Sequence, residues 1–449
     1  MQRYEKYKDS GIFWLSEVPE HWKVESFKNI LKERNEKNNP IKSKEILSLS
    51  IGKGVTLYAE KTTNLDRFKD DFSQYKLAYE GDLVLNSMNM IVGAVGVSEY
   101  FGCVSPVYYT FYGGTNNFKT SKFYEYLFRC KTVQGVLYSL GKGLMAIDRG
   151  EGKYNTLRLK VSRDDLRSLK LPHPSLSEQT EIVNFLNDKT AKIDQTIGIK
   201  EKEIELLKER RQILIQKAVT KGLDDTVKLK DSGVDWIGEI PEHWEVRKLR
   251  FDFNLSKGLT ITKENLTDEG VFCLNYGEIH SKYGFEVNPL IHKLRCVSEE
   301  YLLTNSNSLL NEGDFVFADT SEDLEGSGNF TYLNSGETVF AGYHTVIARP
   351  KKNIESRFFA YELDSPNFRN QVRTKMKGVK VFSITQSILK DLTLWIPPYE
   401  EQIEITDYLD IRTSKIDQVI LLKQQEIEKL KEYKTVLIDN VVTGKVRVS

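Results

Sequence analysis

Histidine, cysteine and proline are scarce in this sequence, at six, four and eleven residues out of 449. The cysteines, Cys103, Cys130, Cys273 and Cys296, stand singly with no CxxC pair. Neither a zinc cluster nor a disulfide framework is therefore expected, and reduced thiols fit a cytoplasmic protein. No uninterrupted apolar run approaches the ~18 residues of a membrane span, and the opening MQRYEKYKDS has no apolar h-region. A soluble, unexported chain with no membrane partner is expected. Net charge is absent too, because 64 basic residues balance 64 acidic ones. That argues against coating a polyanion by bulk charge and turns attention to local basic patches. GKG at Gly52 and Gly141 and GEGKY at Gly150 lack the spacing of a phosphate-binding P-loop. No glycosidase or protease constellation has a local signature.

What the chain does contain is a duplication. Its length exceeds one ordinary core, so two or more domains are expected. Lys6–Val24 and Lys228–Val246 share 12 identities in 19 positions, including Asp-Ser-Gly, one Trp and the whole Pro-Glu-His-Trp. Downstream, LPHPSLSEQTEIVNFLNDKTAKIDQTI from Leu171 matches LWIPPYEEQIEITDYLDIRTSKIDQVI from Leu394 at an offset of 223. Each half thus reads lead motif, variable block, proline turn, long helix. The blocks, roughly 25–170 and 247–393, hardly resemble each other. Both carry a turn followed by a strand, EGDLVLNS at Glu80–Ser87 and EGDFVFAD at Glu312–Asp319. SPVYYTFYG and GYHTVIARP read as another corresponding strand, and helix-like stretches follow at TSKFYEYLFRC and ESRFFAYELDS. A mixed α/β domain of about 145 residues per block is expected.

From Ser177 to Thr220 and from Glu400 to Thr443 there is no proline, and Gly198 is the single glycine. Each stretch begins just past a proline turn with Glu in its first turn, which suits the helix dipole. Ile193, Ile197, Lys200, Ile204, Leu207, Arg211, Leu214 and Ala218 alternate spacings of four and three. The second stretch offers Ile416, Ile420, Lys423, Ile427, Leu430, Lys434, Leu437 and Val441 at the same offset. A sustained 4-3 stripe predicts a coiled coil, ~43 residues reaching about 65 Å; the alternative is two ordinary long helices, each packed on its own domain. Duplicated helices pair most simply with each other, which favours an antiparallel spacer relating the blocks by pseudo-twofold symmetry. Two readings stand for the basic seam positions: they set register, or they snorkel.

Positive charge is concentrated in the blocks. Lys119–Lys170 holds twelve Lys/Arg against five Asp/Glu, and Lys351–Lys380 eight against three, whereas the first long helix balances eight with eight. That placement is expected when the blocks face phosphates. IPPY at Ile396–Tyr399 is similar to the Asn/Asp-Pro-Pro-Tyr motif of adenine methyltransferases. Ile396 cannot accept a hydrogen bond, however, the other half reads PHPS, and no glycine-rich cofactor loop precedes either copy. A turn before a helix is the better reading, and no catalytic centre is visible.

DSGIFWLSEVPEHW with DSGVDWIGEIPEHW, and the P…EQ…I…L…T.KID pattern at Pro174–Asp194 and Pro397–Asp417, resemble the specificity subunit of Type I restriction-modification systems over the whole chain. The resemblance implies an α/β fold: two target recognition domains related by pseudo-twofold symmetry and separated by two long antiparallel coiled-coil helices. Its boundaries are 1–170 for the lead segment and first recognition domain, 171–222 for the first spacer helix, 223–393 for the repeated lead and second recognition domain, and 394–449 for the second spacer helix. It implies a non-catalytic subunit of a DNA-methylating host-defence complex. Each domain would read one half of an asymmetric, bipartite double-stranded DNA target. The spacer would set the gap and dock two methyltransferase subunits, which bind S-adenosylmethionine. Two restriction subunits would use ATP and magnesium, and this chain would hold no cofactor or metal itself. Reading residues would lie after the glycine turns, at Asn86, Met88 and Asn89 and at Asp319, Thr320 and Ser321. Arg149, Lys153, Arg373 and Lys380 would anchor phosphates, and Lys142 and Lys377 would also face the DNA. The pairs Trp14/Trp236 and Trp22/Trp244 are expected to pack. Two rival readings are an enzyme fused to its own reader and a duplicated adaptor that never touches nucleic acid.

Overall fold

The lead motif folds as a hairpin whose chemistry explains why it is spelled twice. Tyr7–Ile12 pairs antiparallel with Leu15–Pro19, and Leu229–Asp231 pairs with Glu239–Pro241. Asp9 and Asp231 each accept the amide of the glycine two residues on, at 2.8 and 2.9 Å. Gly11 and Gly233 take φ of 62° and 72°, left-handed values that suit glycine. Pro-Glu-His-Trp then turns the chain into a further strand. Lys23–Ser26 pairs with Lys170–His173, and Glu245–Lys248 with Thr393–Ile396. The first and last strands of each block are thus hydrogen-bonded neighbours, and the block is clipped shut at its base. Trp22 and Trp244 are fully buried, as packing residues should be, and Trp14 packs half-buried on the same core as Trp22. Trp236 departs from the expectation: it is 41% exposed. It sits in the loop that joins two strands of only three residues each.

The computed structural model describes residues 2–61, 71–114, 117–143, 159–376 and 381–448. It divides into two units, Met1–Glu201 with Gln424–Ser449 and Lys202–Lys423. The central sheet of the first unit orders its strands Lys32–Arg34, Tyr108–Tyr112, Leu83–Asn86, Val95–Val97, all antiparallel. The second unit repeats that order with Phe253–Lys257, Thr345–Pro350, Phe315–Ala318 and Phe330–Leu333, and adds Glu286–Val287 in parallel at the edge. A second sheet in that unit runs Arg295–Val297, Val271–Leu274, Val339–Ala341, Leu309–Leu310. In the first unit it is reduced to two strand pairs joined by a parallel bridge from Ile46 to Cys103.

The shared EGD turn is a buried ion-pair site. Gly81 and Gly313 have φ of 84° and 86°, and Asp82 and Asp314 are buried behind them. Asp82 takes Arg34 at 2.6 and 3.2 Å, and Asp314 takes Arg349 at 2.7 and 2.9 Å. A buried carboxylate without such a partner costs several kcal/mol, so each block keeps one. Two helices then cover each sheet, Asn117–Arg129 and Lys131–Leu140 in the first unit, Ser356–Asp364 and Pro366–Lys375 in the second.

The long helices span Leu176–Lys221 and Tyr399–Val442, within one residue of the sequence reading at each end. The "EQ" of the repeat fastens their starts. Gln179 and Gln402 donate to the carbonyls of Pro174 and Pro397, each at 2.9 Å. Glu178 and Glu401 take His21 and His243 of the lead motif at 3.0 and 2.8 Å. Within each unit the segments of the two helices run antiparallel, shown by paired residues whose numbers rise on one as they fall on the other. In the first unit Lys434 meets Asp194 and Lys200 meets Glu426, both at 2.6 Å. In the second, Lys423 meets Glu203 at 2.5 Å and Arg211 meets Asp417 at 3.3 Å. An offset of 223 converts one unit's pairs into the other's. The basic seam residues therefore set register through defined acids instead of snorkelling.

The apolar seam positions follow the stripe. Ile193, Ile204, Ile420, Ile427 and Leu437 are buried, and Ile197, Leu207, Leu214, Ile416 and Leu430 are half-buried. Near the end of the first helix Ile215 is the fully buried residue beside Leu214. Among the described residues no helix is long and apolar enough to cross a membrane.

Candidate nucleic-acid interface

In both units the strand after the EGD turn ends in a polar tip to which a later stretch of the block returns, one that carries Lys142 and Lys160 in the first unit and follows the basic segment Lys351–Lys380 in the second. In the first unit the Val161 amide donates to Ser87 O at 3.0 Å, and Gly141–Lys142 pairs with Lys160–Val161. In the second, the Ile384 amide donates to Asp319 O at 2.8 Å, and Thr320–Ser321 pairs with Phe382–Ser383. Val161 and Ile384 are again 223 apart. The fold thus joins two stretches of each block that lie more than sixty residues apart.

The individual candidates differ in what they can offer. Asn86 is only 8% exposed and its Oδ1 accepts the Met88 amide at 3.0 Å, so it builds the turn. Met88 is half-buried and Asn89 exposed, and these two are presented. Lys142 is exposed, 3.3 Å from Asp165. Arg149, Lys153, Lys377 and Lys380 lie outside the described residues. Thr320 is half-buried, and its carbonyl accepts His280 Nε2 at 2.8 Å. Ser321 is buried and Arg373 bonds the Glu325 carbonyl at 3.2 Å, so both are engaged locally. The Asp319 carboxylate holds His344 Nδ1 at 3.1 Å.

In the second unit this tip borders an open cleft of about 750 Å³. Tyr276, His280, Asn329 and His344 line one part of it, and the loop carrying Thr320, Glu322, Asp323 and Glu325 another. His280 Nδ1 meets Asn329 at 2.9 Å, and the Tyr276 ring stands edge-on to both His280 and His344. Acceptors dominate the loop side of the cleft, a chemistry that repels phosphate and suits amino-group donors. Tyr276, His280 and His344 escape the sequence reading. They come from segments far apart in the chain, and no local pattern marks them.

Comparison with known proteins agrees with this architecture. Residues 241–432 match the family model of the Type I restriction modification DNA specificity domain. The Type I restriction enzyme MjaVIII specificity subunit of Methanocaldococcus jannaschii is 28% identical over 292 residues, 64% of each chain. The alignment thus spans just under two thirds of that relative's length. The putative MjaX specificity subunit of the same organism is 26% identical over 97% of this chain and 96% of its own. Among solved structures, a chain from a study of complex assembly and conformational transition in the type I R-M system superposes with a TM-score of 0.70 at 14% identity, covering 96% of this chain and 99% of that one. The HsdS subunit of Thermoanaerobacter tengcongensis gives 0.54 at 14% identity, covering 96% and 98%. Doubled lead motif, doubled helix and a shared block architecture thus accompany a likeness to Type I restriction-modification specificity subunits that runs along almost the whole chain.

Proposed function

We propose that each unit reads one half of an asymmetric, bipartite site in double-stranded DNA, using residues 1–170 and 223–393 as target recognition domains. The return of a later stretch to a polar tip in both units, within the basic segment of the first block and directly after that of the second, carries this reading. Two blocks with one sheet order but unlike tips read unlike bases. The long helices set the number of base pairs between the halves. Their exposed faces, with Ile199, Ile213, Leu422 and Val436 outward at repeat-related positions, dock two methyltransferase subunits. Those subunits bring S-adenosylmethionine, and two restriction subunits bring ATP and magnesium. This chain performs no catalysis and works in the cytoplasm.

Mapping methylated adenines in cells with and without the gene tests the proposal. A split motif that disappears with the gene is expected. Removing one heptad from each long helix should change the gap and leave both half-sites as they were. Methyl transfer by the purified chain alone, or binding by the assembled complex that is indifferent to both salt and sequence, would overturn it.

A further inference from the structure

His344 combines three features found together nowhere else among the described residues. It holds a left-handed backbone, φ 54°, the single non-glycine with positive φ among them. Such strain persists only where neighbours enforce it, and it collects at functional positions. The neighbour here is Asp319: its amide donates to the His344 carbonyl at 3.0 Å, and its carboxylate holds Nδ1 at 3.1 Å. The ring is nonetheless open to the cleft, with the side chain 55% exposed. Tyr276 and Tyr343 flank it, with ring centroids 5.3 and 5.9 Å away. With Nδ1–H directed at Asp319, Nε2 carries the lone pair, and it has no hydrogen-bond partner among the described residues.

We propose that His344 is a base-reading residue of the second unit, its Nε2 accepting from an exocyclic amino group on a major-groove base edge, and that Asp319 is the positioning residue that fixes its ring. This rests on the DNA-reading function proposed above. It also reverses the part first expected of Asp319: the carboxylate faces the imidazole, and the imidazole faces the base.

The test uses the chain assembled with its methyltransferase subunits, a duplex library randomised across both half-sites, and the methylated motif as readout. His344→Ala should erase the preference at one base pair of one half-site, costing about tenfold to a hundredfold in discrimination there, with the other half-site unchanged. Asp319→Ala should weaken preference at the same base pair, and should add nothing once His344 is already Ala, because a positioning residue acts through the ring it positions. His344→Gly separates reading from folding, since glycine accepts φ 54° without strain. It should lose the same preference while melting no lower than the parent. An unchanged motif in His344→Ala, a uniform loss over all sequences, or independent additive losses from the two variants would overturn the inference. If the parent complex itself methylates no split motif, the DNA-reading proposal fails first and this one falls with it.

Discussion

Leu127 in the first unit and Glu362 in the second occupy the same place, three residues before the N-cap that starts the next helix, Cys130 and Ser365 respectively. Both are fully buried. The reason for so unlike a pair lies on the neighbouring strand. Glu362 Oε1 accepts the amide of Trp395 at 2.9 Å. The repeat partner of Trp395, 223 residues earlier, is Pro172, which has no amide hydrogen to satisfy. One unit thus has no amide donor at that place on the strand and carries a buried leucine at the matching place on the helix. The other keeps the donor and buries a carboxyl to receive it. The Arg–Asp pairs behind the EGD turns teach the same lesson. Arg349 comes from a strand adjacent to its aspartate's strand, whereas Arg34 comes from two strands away and lies against Tyr79 and Tyr112, 4.4 Å from each ring centroid. A fold tolerates divergence of this depth when the partner of a buried donor or carboxylate can be supplied from more than one place.

The largest effect that would sharpen the comparison is expected at the buried tryptophans. Trp22→Ala and Trp244→Ala should each cost about 3–5 kcal/mol in thermal or denaturant unfolding. The second should cost more, because Trp244 also donates to Glu401 at 3.1 Å while Trp22 Nε1 has no such partner among the described residues. Equal losses would break the distinction. Next come Arg34→Ala and Arg349→Ala, each stranding a buried aspartate for about 2–3 kcal/mol, the guanidinium groups being part-exposed. If the two strands of origin are equivalent solutions, the two losses should agree.

Glu362 gives a pH-dependent contrast. Burial pushes its carboxyl well above the ordinary range, an effect only partly countered by the Trp395 amide. The folded state then binds its proton more tightly than the unfolded chain. That stabilisation is complete below the unfolded value near 4.5 and is lost as pH rises toward the folded value. Hydrogen exchange by segment should show the second unit weakening over that range, and Glu362→Gln should flatten the trend. The smallest effect belongs to the seam. Lys200→Ala and Lys423→Ala, repeat-related and part-exposed, should each cost about 0.2–1 kcal/mol. Their near equality checks that the duplicated register is one design used twice.

Much of this was legible in the residues. The duplication, the ends of both long helices, the seam and the EGD turn-strand elements follow from local spacing, which a sequence displays directly. The common sheet order of the blocks does not. Its strands are three to six residues long and pair across distances that leave no periodic trace, as when Lys32–Arg34 finds Tyr108–Tyr112. His21 and His243 looked like part of a motif, but their carboxylate partners lie more than 150 residues on. His344 was hidden most thoroughly. Its φ, its aspartate and its cleft are products of the tertiary fold, and GYHT reads as an ordinary strand.

The discontinuity of the first unit has a consequence for synthesis. Leu437, Val441 and Val442 belong to its core, and Arg447 bridges to Gln2 beside the amino terminus. The second unit draws on one unbroken stretch, Lys202–Lys423. On the ribosome, therefore, the half whose synthesis starts first must wait for the stretch carrying Leu437, Val441 and Val442, with part of its apolar surface uncovered, while the other half has its residues in hand by Lys423.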